Sequence, residues 1–283
     1  NDPAANGHAI AALTGAGYGI YHNSVYMVAN QALAGITSCM YIGTGMTSLS
    51  ALDIRNNIFS NRQTIGTRYA IYSAVPATVF SQIDYNDYYS SQRVGFLVSN
   101  QANLASWQLA TGSDLNSVAT DPIYVSTADL HMQLISPMNN IGTPIAGITS
   151  DIDGDVRSAT TPDIGADEFT PPNCTGNNPG TISANKTNLC FNGSVLLSST
   201  GFDYGAGMSY QWQSSSDNVT WANIVGENNP VSATPAAISA TTYYRLRVAC
   251  TNFSGGTFAY SNVVTITVQA PAVTSTLNGS RCG

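Results

Sequence analysis

The chain has 283 residues, enough for one or two domains with cores of their own. Charged residues make up only 9%, against roughly a quarter in ordinary soluble domains, and Lys186 is the sole lysine. The net charge of −7 repels phosphate backbones and argues against a nucleic-acid partner; acidic polysaccharide is repelled too unless metal ions bridge the contact.

Ser, Thr, Asn and Gly fill the space that charges usually take, which suits an extracellular β protein better than a cytosolic enzyme. No apolar run approaches the roughly 18 residues of a membrane span. The chain opens on Asn1-Asp2-Pro3 with no initiator Met or charged leader, so its natural start is expected upstream. Five cysteines occur, at 39, 174, 190, 250 and 282, and none shows the CxxC pairing of a zinc site.

A loose repeat runs through the first 120 residues. Asn23-Ser24-Val25-Tyr26 is followed by Asn56-Asn57-Ile58-Phe59 and then by Asn86-Asp87-Tyr88-Tyr89. Short apolar runs from Ile36, Tyr69 and Gly95 follow these blocks in turn, bounded by Gly, Asn and Ser. Such runs read as strands, and a period near thirty residues reads as one supersecondary unit set on the next. The repeat predicts a parallel β-helix, with Asn23, Asn56 and Asn86 forming an amide ladder and Val25, Ile58 and Tyr88 a column beside it. The alternative is three unrelated asparagine turns.

Residues 121–169 carry Asp121-Pro122-Ile123-Tyr124-Val125, Asp129-Leu130-His131-Met132 and Ser136-Pro137. They continue with Asp151-Ile152-Asp153-Gly154-Asp155-Val156-Arg157 and close on Asp163-Ile164-Gly165-Ala166-Asp167-Glu168-Phe169. In this order the pieces resemble the C-terminal end of right-handed parallel β-helix (pectin-lyase-like) regions in large secreted proteins of Bacteroidota type. The resemblance implies a fold and a compartment for residues 1–170. It does not imply lyase activity.

Pro171-Pro172 marks a stiff linker. Beyond it the pattern becomes strict period two. Tyr210 and Trp212 share a face, as do Tyr244, Leu246, Val248 and Cys250, and Val264, Ile266 and Val268. Arg245 and Arg247 fall on the opposite, wet face. This alternation predicts an antiparallel sandwich over 173–269. The order Cys190, Trp212, Cys250, with Tyr-Gln-Trp-Gln and Thr-Thr-Tyr-Tyr-Arg, resembles the tandem immunoglobulin-like modules of Bacteroidota surface proteins. That resemblance implies a Cys190–Cys250 disulfide, near one end of the sandwich because Cys190 precedes its strand. Cys282 lies 92 residues after Cys190, so residues 270–283 read as the start of a further module. Cys39 reads as a small buried residue. The fold class expected is therefore all-β, a parallel β-helix end followed by an immunoglobulin-like sandwich.

Two groups are candidates for chemistry. Asp151, Asp153 and Asp155 around Gly154 place three hard oxygen donors at alternate positions and are a candidate Ca²⁺ set; the plainer reading is a turn capped by aspartate. Aligning the repeats brings His22, Arg55 and Tyr85 together, with Asp53 and Asp84 nearby, as a candidate glycan-facing or catalytic groove; they would equally suit an exposed polar face. Tyr21, Tyr26, Tyr85, Tyr88 and Tyr89 are candidates for stacking on sugars or for filling the interior.

These features point to a non-catalytic segment of a secreted or cell-surface adhesin-like protein. The β-helix would present a surface to a glycan or another surface protein, and the later modules would act as a stalk. Export by the type IX pathway is implied by the resemblance, and no membrane insertion is expected within the chain. The competing reading is an accessory region of a polysaccharide-degrading enzyme whose active turns lie upstream.

Overall fold

The computed structural model describes residues 7–30, 35–190, 192–251 and 257–269. It divides into two compact units, Asn1–Thr170 and Pro171–Gly283. The single α-helix among the described residues has eight residues, and the architecture is all-β.

In the first unit the repeat sequence forms short strands because β-branched and aromatic residues alternate with polar ones between Gly and Asn corners. The strands are β1 (Gly7–Thr14), β2 (Tyr18–Tyr21), β3 (Ser24–Met27), β4 (Ile36–Gly45), β5 (Leu52–Arg55) and β6 (Ile58–Asn61). They continue with β7 (Thr67–Ser73), β8 (Phe80–Asp84), β9 (Asp87–Ser90), β10 (Arg93–Leu97) and β11 (Ser99–Gln101). Every third strand pairs in parallel. The sheets run β1-β4-β7-β10, with β11 antiparallel at the edge, then β2-β5-β8 and β3-β6-β9. Equivalent residues therefore lie in columns. Ile20, Ile54 and Ile83 are in register, as are Val25, Phe59 and Tyr88. These columns supply much of one apolar core, together with Met40, Ile42 and Ile71.

On the opposite face of the first sheet, His8, Tyr41, Tyr72 and Phe96 form a row. Successive ring centroids lie 4.1, 5.6 and 4.5 Å apart with interplanar angles of 14, 25 and 7°. At those separations the rings cover one another's faces, so the row ties strand to strand within that sheet.

The end of the core is closed by α1 (Leu104–Thr111). Asn103 and Ser106 form a capping box at its start, and Gly112 ends it in the left-handed region, φ 66°. Trp107 is fully buried and lies directly on Gly95, where any side chain would collide with its ring. Asp114 Oδ2 accepts hydrogen bonds from Trp107 Nε1 and Tyr88 OH, both at 2.6 Å, so the aromatic end of the core leaves no buried donor unpaired there.

The asparagine ladder is formed by Asn23, Asn57 and Asn86, not by Asn56. Asn57 Oδ1 accepts from Asn23 N and Nδ2 at 3.1 and 2.8 Å. Asn86 Oδ1 accepts from Asn57 N and Nδ2 at 3.0 and 2.9 Å, and Ser117 Oγ accepts from Asn86 N at 2.7 Å. The column beside it accordingly passes through Phe59, not Ile58. The residues before the ladder, His22, Asn56 and Tyr85, all take left-handed φ of 52, 59 and 56°. Each corner thus needs one left-handed residue followed by one ladder asparagine, and in the doublet Asn56-Asn57 the first takes the corner. Replacing Asn57 by Ala removes five side-chain hydrogen bonds, among them the one that Asn23 N makes to Asn57 Oδ1. It should destabilise the first unit by about 2–3 kcal/mol in urea unfolding. An unchanged midpoint would mean that the ladder does not form.

The second unit contains β12 (Thr181–Ala184), β13 (Asn188–Cys190), β14 (Leu197–Thr200), β15 (Met208–Ser215), β16 (Ala222–Asn223) and β17 (Ser232–Ala233). It ends with β18 (Thr242–Cys250), β19 (Ala259–Tyr260) and β20 (Val264–Gln269). One sheet has the order β12-β14-β17; the other has β13-β20-β18-β15-β16, with β19 also on β18. The apolar faces read from the sequence meet in one core: Trp212, Tyr244, Leu246, Val248 and Ile266 from the larger sheet, Ile182, Leu197 and Ala233 from the smaller. Trp212 is fully buried, and its Nε1 donates to Asn229 O at 2.8 Å.

The disulfide differs from the expected one. Cys250 is bonded to Cys174, not to Cys190. The register explains this. Met208 lies opposite Cys250, and Cys174 N donates to Ala206 O at 3.0 Å, which brings Cys174 to the C-terminal end of β18. Cys190 pairs with Gln269 in β20, whose Ile266 faces Thr242 at the opposite end of β18. Eight residues of extended chain, roughly 27 Å, separate those ends, several times the span of a disulfide. Cys190 is itself disulfide-bonded. Cys39 is a free, fully buried cysteine in the first core. The reading of Cys282 and residues 270–283 lies outside the described residues.

Candidate metal centre

Residues 112–170 contain no strand or helix, so their backbone amides need other partners. Acidic side chains supply many of them. Asp151 accepts from the amides of Asp153, Asp155 and Glu168 at 2.8–2.9 Å. Asp163 accepts from Asn140 and Phe169, and Glu168 from Ser158 and Asp163. Arg157 ties Glu168 to the Gly165 and Ala166 carbonyls. Met132, Met138 and Ile164 pack with Ile58 beneath this web.

Two turns of this segment converge. In the first, Val125 N donates to His131 O and Ser126 N to Asp129 O, a short reversal that presents His131 beside Asp129. In the second, Asp151 N donates to Asp155 O and Gly154 takes φ 93°, which presents Asp153. His131 Nδ1 lies 2.5 Å from Asp129 Oδ1, and Nε2 lies 2.7 Å from Asp153 Oδ2. Asp167, buried and accepting from Met132 N at 2.8 Å, completes the group. One donor atom from each of His131, Asp153 and Asp167 lies within 4.8 Å of the others. They border a cleft of about 600 Å³ that Asp155, Glu168 and Phe169 also line.

The Ca²⁺ set Asp151, Asp153 and Asp155 is therefore not assembled. Both carboxylate oxygens of Asp151 hold backbone amides, and Asp153 turns to His131. An imidazole with two carboxylates suits zinc or manganese better than calcium, which prefers an all-oxygen shell. Asp129 on Nδ1 is the partner that would fix the imidazole for ligation through Nε2. Without a metal the same groups hold a proton. The bonds to Asp129 and then Asp153 push His131 up to about 9, and His131 in turn lowers Asp129. The contribution is full below the ordinary value of 6.5 and is lost as pH rises through about 9. NMR titration of His131 in chelator-treated protein should give a midpoint near 9; a midpoint near 6.5 would show that the two carboxylates do not bracket it.

His22, Arg55 and Tyr85 do not form a common face. Arg55 is in register with Tyr21 and Asp84, bonds Asp53 through Nε and Nη2, both at 2.7 Å, and lies over the Tyr21 ring. His22 is buried, with Nδ1 donating to Gly165 O at 3.2 Å and Nε2 accepting from Asn56 Nδ2 at 2.9 Å. Tyr85 sits at the corner, its amide donating to Asp84 Oδ1. Of the other tyrosines proposed for sugar stacking, Tyr88 is in the core, Tyr26 packs edge-on to Tyr124, and Arg62 covers Tyr89.

Burial first, then the nearby Arg157 charge, brings His22 down to about 4, so it folds neutral. A depressed histidine contributes stability above 6.5 that is lost as pH falls towards 4, on the order of 3 kcal/mol. Asp163, pushed by burial up to about 7, works in the opposite sense over the same range. The comparison that isolates His22 is wild type against His22→Asn, a residue that tolerates the left-handed corner. Wild type should lose stability relative to the variant between pH 6.5 and 4; parallel profiles would contradict the neutral assignment.

In the sequence, Asp129, His131 and Asp167 stand out only as parts of a resemblance. Nothing in their spacing signals a site, because chain reversals without periodicity bring them together.

A family model described as a domain of unknown function (DUF8696) matches residues 178–270, within the second unit. No curated protein matches the chain. Among solved structures, the crystal structure of a β-1,2-glucanase from Parabacteroides distasonis is similar at 13% identity, covering 38% of this chain and 15% of that one with a TM-score of 0.26. A likeness of that size carries no argument about activity.

Proposed function

We propose that the chain is a non-catalytic segment of a large secreted or cell-surface adhesin-like protein. In this reading the first unit is the end of a right-handed parallel β-helix that displays a binding surface. The second is an immunoglobulin-like module that acts as a stalk. The every-third-strand parallel order supports the first assignment and the two-sheet core around Trp212 the second. The buried Cys174–Cys250 disulfide fits an oxidising, extracellular setting, and no helix among the described residues is long and apolar enough to cross a membrane.

One observation carries the non-catalytic part. The carboxylates of residues 151–168 are the richest acidic group in the chain, and Asp151, Asp163 and Glu168 hold backbone amides with both oxygens. Such groups maintain a loop-rich cap; a general base needs a free lone pair aimed at substrate. Antibody raised against the full chain should label intact, unpermeabilised source cells or be titrated out by their medium. Labelling that needs permeabilisation would overturn the surface assignment.

A further inference from the structure

The acidity of the chain is unevenly placed. Thirteen of its sixteen acidic residues and five of its nine basic ones lie in residues 1–170, a net −8, which leaves +1 for residues 171–283. The argument against an acidic polysaccharide therefore applies to the first unit and not to the second.

On the outer face of β18, Arg245 and Arg247 stand two residues apart, about 7 Å along the strand. Neither has a carboxylate partner among the described residues. Arg245 is held between two rings, 4.1 Å from the Trp221 centroid and 3.9 Å from that of Tyr260. Its Nε donates to Gln213 Oε1 at 2.8 Å, which fixes the plane of the guanidinium and leaves its terminal N–H groups for another acceptor. Arg247 lies 4.3 Å from the Phe258 centroid. The side chains on the facing positions of β15, Gln211 and Gln213, are neutral, and so is Tyr260 of β19, which pairs with Arg247. Tyr260 and Phe258 remain 45% and 51% exposed, so flat apolar surface lies beside the two cations.

We propose that this face of the second unit binds a uronate-bearing polysaccharide. The uronate carboxylate meets the planar fork of Arg245 and the neighbouring charge of Arg247, and the sugar rings lie along Phe258 and Tyr260. Guanidinium recognises carboxylate through paired, charge-assisted hydrogen bonds, and the rings pre-order Arg245 so that little side-chain freedom is lost on binding. Burial and then repulsion from Arg247 lower the proton affinity of Arg245, and an anion placed between them relieves that repulsion. An acidic peptide would use the charges but has no need of the exposed rings, which is why a polysaccharide is favoured. The inference goes beyond the stalk role given to this unit and does not depend on what the first unit does.

The test uses the full chain in calorimetric titrations with polygalacturonate, neutral galactan and polyglutamate. Polygalacturonate should bind with an affinity that falls as salt rises, and galactan should not. The double variant Arg245→Gln/Arg247→Gln should weaken binding at least about tenfold, with melting of the second unit as the check on folding. Phe258→Ala, at a largely exposed ring, should weaken polygalacturonate binding without loss of fold. No binding of polygalacturonate, equal binding by the double variant, or equally tight binding of polyglutamate would each overturn the proposal.

Discussion

Replacing Cys174 by Ser should lower the stability of the second unit by about 4 kcal/mol. The bridge closes a loop with a sequence separation of 76. In the chain-entropy description a loop of that size restricts the unfolded state by roughly that amount. For a unit of this size, the melting transition should fall by on the order of 15 °C or more. Both sulfurs are buried, so the variant also leaves Cys250 facing a smaller, polar side chain in an apolar site. Peptide mapping without reduction should recover Cys174 joined to Cys250. Recovery of Cys190 joined to Cys250 would mean that the register of β18 against β15 and β20 is wrong.

Trp212→Ala should cost about 3–5 kcal/mol in the same unit. The ring is fully buried among side chains from both sheets, so its removal loses transfer energy and leaves a cavity that neither sheet can close. The Asn229 carbonyl also loses its donor. Trp212→Phe should cost less, because it keeps most of the volume. Trp221, half-buried over Arg245, should be far more tolerant. Equal effects at Trp212 and Trp221 in urea unfolding would contradict the burial of Trp212 between the two sheets.

Much of this was legible in the sequence, for a physical reason. Period-two alternation in β15, β18 and β20 reports directly which residues face inward, and Trp212, Leu246 and Ile266 are all in the core. The repeat near thirty residues likewise corresponds to three strands, but its phase was obscured at Asn56-Asn57. Two identical residues occupied the corner and the ladder, and only φ distinguishes them. The cysteine pairing was not legible, because it depends on which end of β18 each cysteine reaches. The direction of β13 and the Ala206 contact of residue 174 decide that. The His131, Asp153 and Asp167 group was invisible for a related reason. It is built from turns whose shape is set by carboxylate caps, and caps leave no period. The aspartates around Gly154 stood out as a ligand pattern, yet Asp151 is committed to the amides of its own loop and to Glu168.

The most direct test of the central claim is the fate of a polysaccharide after contact with the full chain. Polygalacturonate and neutral polysaccharides, incubated with the protein with and without Ca²⁺, Zn²⁺ or Mn²⁺, would be sized by light scattering and assayed for unsaturated uronate and new reducing ends. Polymer mass should stay unchanged, with no new ends. Shortened polymer, with turnover abolished by His131→Ala or Asp153→Asn, would contradict this and assign the first unit to an enzyme.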